Sequence, residues 1–254
     1  MSLLALEFPP ISHLFDWPEF AFKGTPLAMN KTVLIYLASL VLTLLLFSYA
    51  GSRRKLVPIG VQTIAESGID FVENSILEPT LGIAEGRAFL PFLTSMFFFV
   101  FFTNIFEVIP FIQFPGNARM ALPIFLAILV WLIYNVQGFR KQGFHYITSS
   151  LFPPGVPKAL YLLVTPIELL QVLVIRPASL AIRLWANMVA GHLLLVTFAL
   201  LSATLWDSTK VGAIAPFAML TIMTGFEILV SFLQAFIFTI LTAVYINMAS
   251  HSEH

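Results

Sequence analysis

The sequence predicts an all-α integral membrane protein with about five transmembrane helices and one interfacial amphipathic helix. Three observations carry this. Apolar residues make up 59% of the chain and charged residues only 10%, whereas a soluble domain runs near 25% charged. Mean hydropathy is +0.92. The uncharged runs are long and lack the dyad alternation of barrel strands, so in hydrocarbon they satisfy their backbone as helices. The same composition excludes other classes. There is no cysteine, hence no disulfide or thiol chemistry. Thirteen basic residues balance thirteen acidic ones without a basic tract, so nucleic acid is not an expected partner.

Residues 1–30 are punctuated by proline and rich in aromatics, and read as an outer N-terminal arm. They carry acids but no basic leader, unlike a signal or transit peptide. Residues 32–49 hold no charge and form the first span. Arg53, Arg54 and Lys55 follow at once. By the positive-inside rule that end is cytoplasmic and the N-terminus is outside. Residues 61–77 predict an interfacial helix. Val61, Ile64, Ala65, Gly68, Val72 and Ile76 fall at helical spacing, with Glu66, Asp70 and Glu73 on another face. An acidic face has no attraction for anionic lipid, which leaves a protein partner or plain solvation.

The second span is expected over 88–109, with Asn104 and Glu107 near its outer end, and the third over 120–137, with Arg140 and Lys141 at its cytoplasmic exit. Phe-Pro-Pro-Gly-Val-Pro at 152–157 reads as a turn-rich linker. Arg87 and Lys158 join the inner basic set, while the outer loop has Arg119 alone. The bias puts the C-terminus in the cytoplasm.

The apolar run 159–203 is overlong. A continuous helix over 159–203 would measure roughly 65 Å, about twice the hydrocarbon thickness, and the long tilted helix is expected over 159–205. Two readings stand: two spans joined by an Arg-Pro-Ala-Ser turn, or one long helix kinked near Pro177 and steeply tilted against something else. A second overlong run at 211–249 favours a tilted hairpin. No internal repeat of the kind found in many carriers is visible.

These two runs hold the chemistry. Arg183 is too deep to snorkel, and a charge at mid-bilayer costs roughly 2.5–3.5 kcal/mol on insertion scales. Arg176 lies two turns before it. Ser179, Asn187, Ala190 and Gly191 continue a stripe of small and polar residues near the Arg183 face, where another helix can approach closely. His192 and Glu227 are side chains whose protonation burial can tune, and such groups with water move protons across membranes. Gln234 follows two turns after Glu227. Glu107 and Glu168 are further acids within or beside the apolar runs. No phosphate loop, zinc-protease helix, nucleophile elbow or metal-spaced cluster appears, so no catalytic residue, cofactor or metal is expected.

At this point the residues are recognisable. Pro166-Ile167-Glu168 and Arg176-Pro177-x-Ser179-Leu180-x-x-Arg183-Leu184-x-Ala186-Asn187-Met188-x-Ala190-Gly191-His192 strongly resemble subunit a of the F-type ATP synthase. Leu233-Gln234-Ala235-Phe236-Ile237-Phe238, then Leu241-Thr242-x-x-Tyr245, is similar to that family's last helix. Asn104-x-x-Glu107-x-x-Pro110 resembles its Asn-x-x-acid-x-x-Pro segment. The Phe139-Arg140-Lys141 loop and the 152–157 linker look closest to actinobacterial members.

The resemblance implies a non-catalytic, proton-conducting stator in a bacterial plasma membrane, one copy per complex. Its two half-channels would meet a rotating ring of c subunits, and its other partners would be b-type peripheral-stalk subunits and the remaining synthase subunits. The essential arginine maps onto Arg183, its neighbours onto Ser179 and Asn187, and the family's glutamine onto Gln234. The polar pair of the outer half-channel maps onto His192 and Glu227, in reverse order relative to some members. That reversal implies that the two side chains meet, directly or through water. Glu107, Asn104, Glu168 and Arg176 are expected as further half-channel lining. The competing classes are a secondary carrier binding an anionic substrate at Arg183, which the missing repeat disfavours, and an intramembrane enzyme, for which no Ser-His or paired-acid set exists.

Overall fold

The computed structural model describes residues 28–52, 59–109, 112–151 and 160–251, without the side chains of 148–150 and 207–208. Most of the arm expected at 1–30, the Arg53-Arg54-Lys55 cluster, the 152–157 linker and Lys158 lie outside the described residues. Among the described residues the regular structure is helical, and its main helices are α1 Lys31–Ser52, α2 Val61–Val72, α3 Leu90–Ile105, α4 Ala121–Gln142, α5 His145–Leu151, α6 Tyr161–Leu170, α7 Arg176–Ser208 and α8 Ile214–Ser250. Among the described residues, five helices are long and apolar enough to cross a membrane.

Local chemistry sets the ends. Asn30 accepts the Val33 backbone N–H at 3.0 Å, capping α1. Arg140 and Lys141 occupy the last turn of α4, where cations complement the helix dipole. Gly143 ends that helix at φ 61, and its N–H returns to the Phe139 carbonyl, a left-handed cap.

The long run 159–203 resolves in favour of one helix. Tyr161–Trp206 is continuous over 46 residues, with a π-helical turn at Gln171–Ile175 between α6 and α7. Pro177 therefore makes no turn between spans. It lacks an N–H and crowds the preceding turn, and the wider π ring just before it absorbs the misfit.

The chain forms two compact units. One comprises Met1–Leu45, Phe99–Arg119 and Trp185–Gln234, the other Leu46–Phe98, Met120–Leu184 and Ala235–His254. In the first, Ile35, Phe106 and Phe114 form a small core with Ala38 and Ile112 against it. In the second, Gly68 of α2 lies against the tip of the Phe98 ring, and Phe98 meets Phe47 and Phe97 edge-on at 5.3 and 5.4 Å. Ala65, Val72 and Ile76 are buried as their spacing predicts, but Ile64 is 60% exposed, Val61 is exposed as well, and Gln62 is buried instead. The inner face of α2 is thus turned by about a residue from the expected one. Gln62 is tolerated inside because its amide donates to Glu66 at 2.7 Å. Ile64 is tolerated outside because a membrane protein's surroundings include lipid.

Candidate functional site

In the first unit α3 ends at Ile105, and the chain turns at once, Glu107 N–H returning to the Asn104 carbonyl. This drops Glu107 inward, where it is 2% exposed. Its Oε1 lies 3.3 Å from His192 Nδ1 of α7. The contact is close but not an aligned hydrogen bond, since Oε1 has no hydrogen-bond partner among the described residues. Both line a partly open cavity of about 290 Å³, together with Gln113, Leu195, Leu220 and Thr224. It has room for several waters. A buried acid, an imidazole and space for water can pass a proton along.

Glu227 of α8 is buried as well, at 7% exposure. Its carboxyl rests on Gly191, so close that a Cβ there would overlap it. The glycine read as a seat for another helix is the seat of an acid. The structure thus gives His192 an ion partner in Glu107, which sequence reasoning set apart as a separate lining residue. One helical turn before Gly191, Asn187 is exposed, and its amide donates to Gln234 Oε1 at 2.7 Å. Gln234 is 3% exposed, and its own Nε2 donor has no partner among the described residues.

Asn104 is fixed by a residue that sequence reasoning passed over. Asn117 Nδ2 donates to Asn104 Oδ1 at 2.6 Å, and both are buried. The rest of this loop hangs on helix-borne donors. Lys31 Nζ reaches the Ile112 carbonyl at 2.8 Å, Tyr36 Oη the Gly116 carbonyl at 2.7 Å and Trp185 Nε1 the Ala118 carbonyl at 2.8 Å.

The second unit holds Arg183, Arg176, Ser179 and Glu168. Arg183 is half-buried on a helix long and apolar enough to cross a membrane. It makes no ion pair or hydrogen bond with any described residue. Arg176, by contrast, is occupied: its guanidinium sits over the Tyr245 ring at 5.7 Å, a cation–π contact. Ser179 donates back to the Arg176 carbonyl at 3.2 Å. Glu168 is half-buried in α6. Around these residues the helix is bare apolar surface: Ile167, Leu170, Val174 and Ile182 are all about half exposed.

A sequence model of the ATP synthase A chain matches residues 32–247. The protein named ATP synthase subunit a of Rhodococcus erythropolis is 40% identical, with 99% of this chain and 94% of the relative covered. The subunit a of Frankia alni is 36% identical, over 94% of this chain and 83% of the relative. That of Streptomyces lividans is 34% identical, over 96% and 87%. With a family match across most of its length and relatives matched nearly end to end, the chain belongs to the ATP synthase A chain family.

Proposed function

We propose that this chain is the proton-conducting stator of a rotary F-type ATP synthase in a bacterial plasma membrane, its N-terminus outside and its C-terminus cytoplasmic. The observation that carries the reading is Arg183: a half-buried cation in an apolar helix, with no partner among the described residues. Such a charge is costly in hydrocarbon and calls for an anion from another chain. A ring of c subunits, each with a carboxylate at mid-membrane, supplies one. The cavity with Glu107 and His192 fits the outer half-channel, with Glu227 beside it and the Asn187–Gln234 bond further along α7 and α8. Glu107, Asn104, Glu168 and Arg176 are proposed as further half-channel lining.

The chemistry follows from the cost of charge. A ring carboxylate must be neutral while it faces lipid. Arg183 favours its ionised form where the proton has to leave, and blocks proton passage between the half-channels. Arginine suits the task better than lysine, because it stays charged in a dry site. The b-type stalk subunits and the remaining synthase subunits complete the assembly, with one copy of this chain in each.

ATP-driven fluorescence quenching in inverted vesicles, with assembly checked by immunoblot, tests the role. Arg183→Ala abolishes coupled pumping and Arg183→Lys is severely impaired. Arg176→Ala is milder, since it removes a contact to Tyr245 and leaves the ring partner in place. Normal pumping by assembled Arg183→Ala complexes sinks the reading. Purification separates it from a carrier: a stator travels with small ring proteolipids and a soluble ATPase head, whereas a carrier transports substrate when reconstituted alone.

A further inference from the structure

The π-helical turn at Gln171–Ile175 leaves one backbone acceptor without a helical donor. Arg176 N–H, which an α-helix would give to the Val172 carbonyl, goes to the Gln171 carbonyl instead. The next donor in the π pattern belongs to residue 177, which is proline and has no N–H. The Val172 carbonyl is therefore orphaned by sequence and needs a donor from outside its own helix. Two side chains of α4 supply what is missing: Trp131 Nε1 donates to it at 3.0 Å and Tyr134 Oη at 3.1 Å, one for each lone pair. Tyr134 is 1% exposed. It packs on Tyr245 at 5.8 Å, the ring that also carries Arg176.

A π turn holds one residue more than the α turn it replaces, so its presence sets the rotation of everything after it. Arg183 comes two turns later. We infer that Trp131 and Tyr134 are positioning residues that lock the π turn through the Val172 carbonyl and so fix the direction in which Arg183 faces. The inference rests on the role proposed for Arg183. It treats the pair as a shared function: either donor alone keeps the carbonyl satisfied, and losing both releases the turn.

The test is a mutant cycle on assembled complexes in inverted vesicles. Trp131→Phe and Tyr134→Phe keep the rings and remove the donors. Each single variant pumps within about threefold of the parent. The double variant falls much further than the product of the singles, by roughly tenfold or more, because small misplacements of a reacting group are costly. Adding Pro177→Ala to the double variant returns an N–H to the turn, and pumping recovers at least in part. A ring that merely fills space gives neither the synergy nor this rescue. If the double variant fails to assemble, recovery of assembly by Pro177→Ala carries the same meaning. Singles that multiply to the double, or a triple variant no better than the double, overturn the inference. Arg183→Ala, run alongside, separates the two failures: if it pumps normally the stator role falls, and if it is dead while the phenylalanine variants simply multiply, only the lock falls.

Discussion

A side chain at position 191 has no room, because the Glu227 carboxyl already occupies it. Gly191→Ala should displace that carboxyl by about an ångström and lower pumping by about tenfold or more, in complexes that still assemble. Quenching rates normalised to the immunoblot signal check this, and an unchanged rate means that the carboxyl has no fixed seat. Asn117 is a second exacting position. Asn117→Leu keeps the bulk but leaves Asn104 Oδ1 buried and unpaired, which should cost about 1–3 kcal/mol, read as a lower melting temperature of the purified complex. Arg183, His192, Glu227 and Glu107 stand out in the sequence as candidates for one reason: an ionisable group in an apolar run must be accounted for. Asn117 was not. Pro-Gly-Asn-Ala reads as turn chemistry, and only folding brings it to Asn104. The partner that the structure gives His192 was hidden for a related reason, since which of two buried acids an imidazole meets depends on how three segments pack.

Long uncharged runs made the membrane helices legible, and the continuity of Tyr161–Trp206 settles what Pro177 left open. The π turn beside it was invisible, because no residue pattern marks one. The buried face of α2 was only partly legible: where a surface faces lipid, an isoleucine outside carries little penalty, and hydrophobic periodicity loses its power to say which side is in. Gly68 decides that packing. Gly68→Leu would drive a side chain into the Phe98 ring, itself held by Phe47 and Phe97, and overpacking of this kind costs about 1–3 kcal/mol. The expected result is reduced assembly of the variant at raised growth temperature, seen by immunoblot. Wild-type levels would mean that α2 can slide on α3.

The charges at one end of the second unit bear on the whole chain's path. Glu85 lies near the start of the second long apolar segment, Ile83–Ile105, which contains α3, and pairs with Lys141 at the end of α4. His251, just past α8, lies 3.7 Å from the same carboxylate, and the Gln142 amide reaches the Ala249 carbonyl at 3.2 Å. The start of the second span and the ends of the third and fifth thus share a face, as five alternating crossings require. A cysteine placed at 251 should react with a membrane-impermeant thiol reagent in inverted vesicles and not in intact cells. Labelling from outside alone would refute the crossing count. The loop of the first unit has a different logic. Lys31, Tyr36 and Trp185 hold it by its backbone carbonyls at 112, 116 and 118, and a carbonyl is the same whatever residue bears it. The anchors set the path of the loop while its side chains answer to packing: Ile112 lies against the small core, a Cβ at Gly116 would meet Ile35 and Thr103 at 3.0 Å, and Ala118 is buried, so the loop is held twice over, by its backbone and by its bulk.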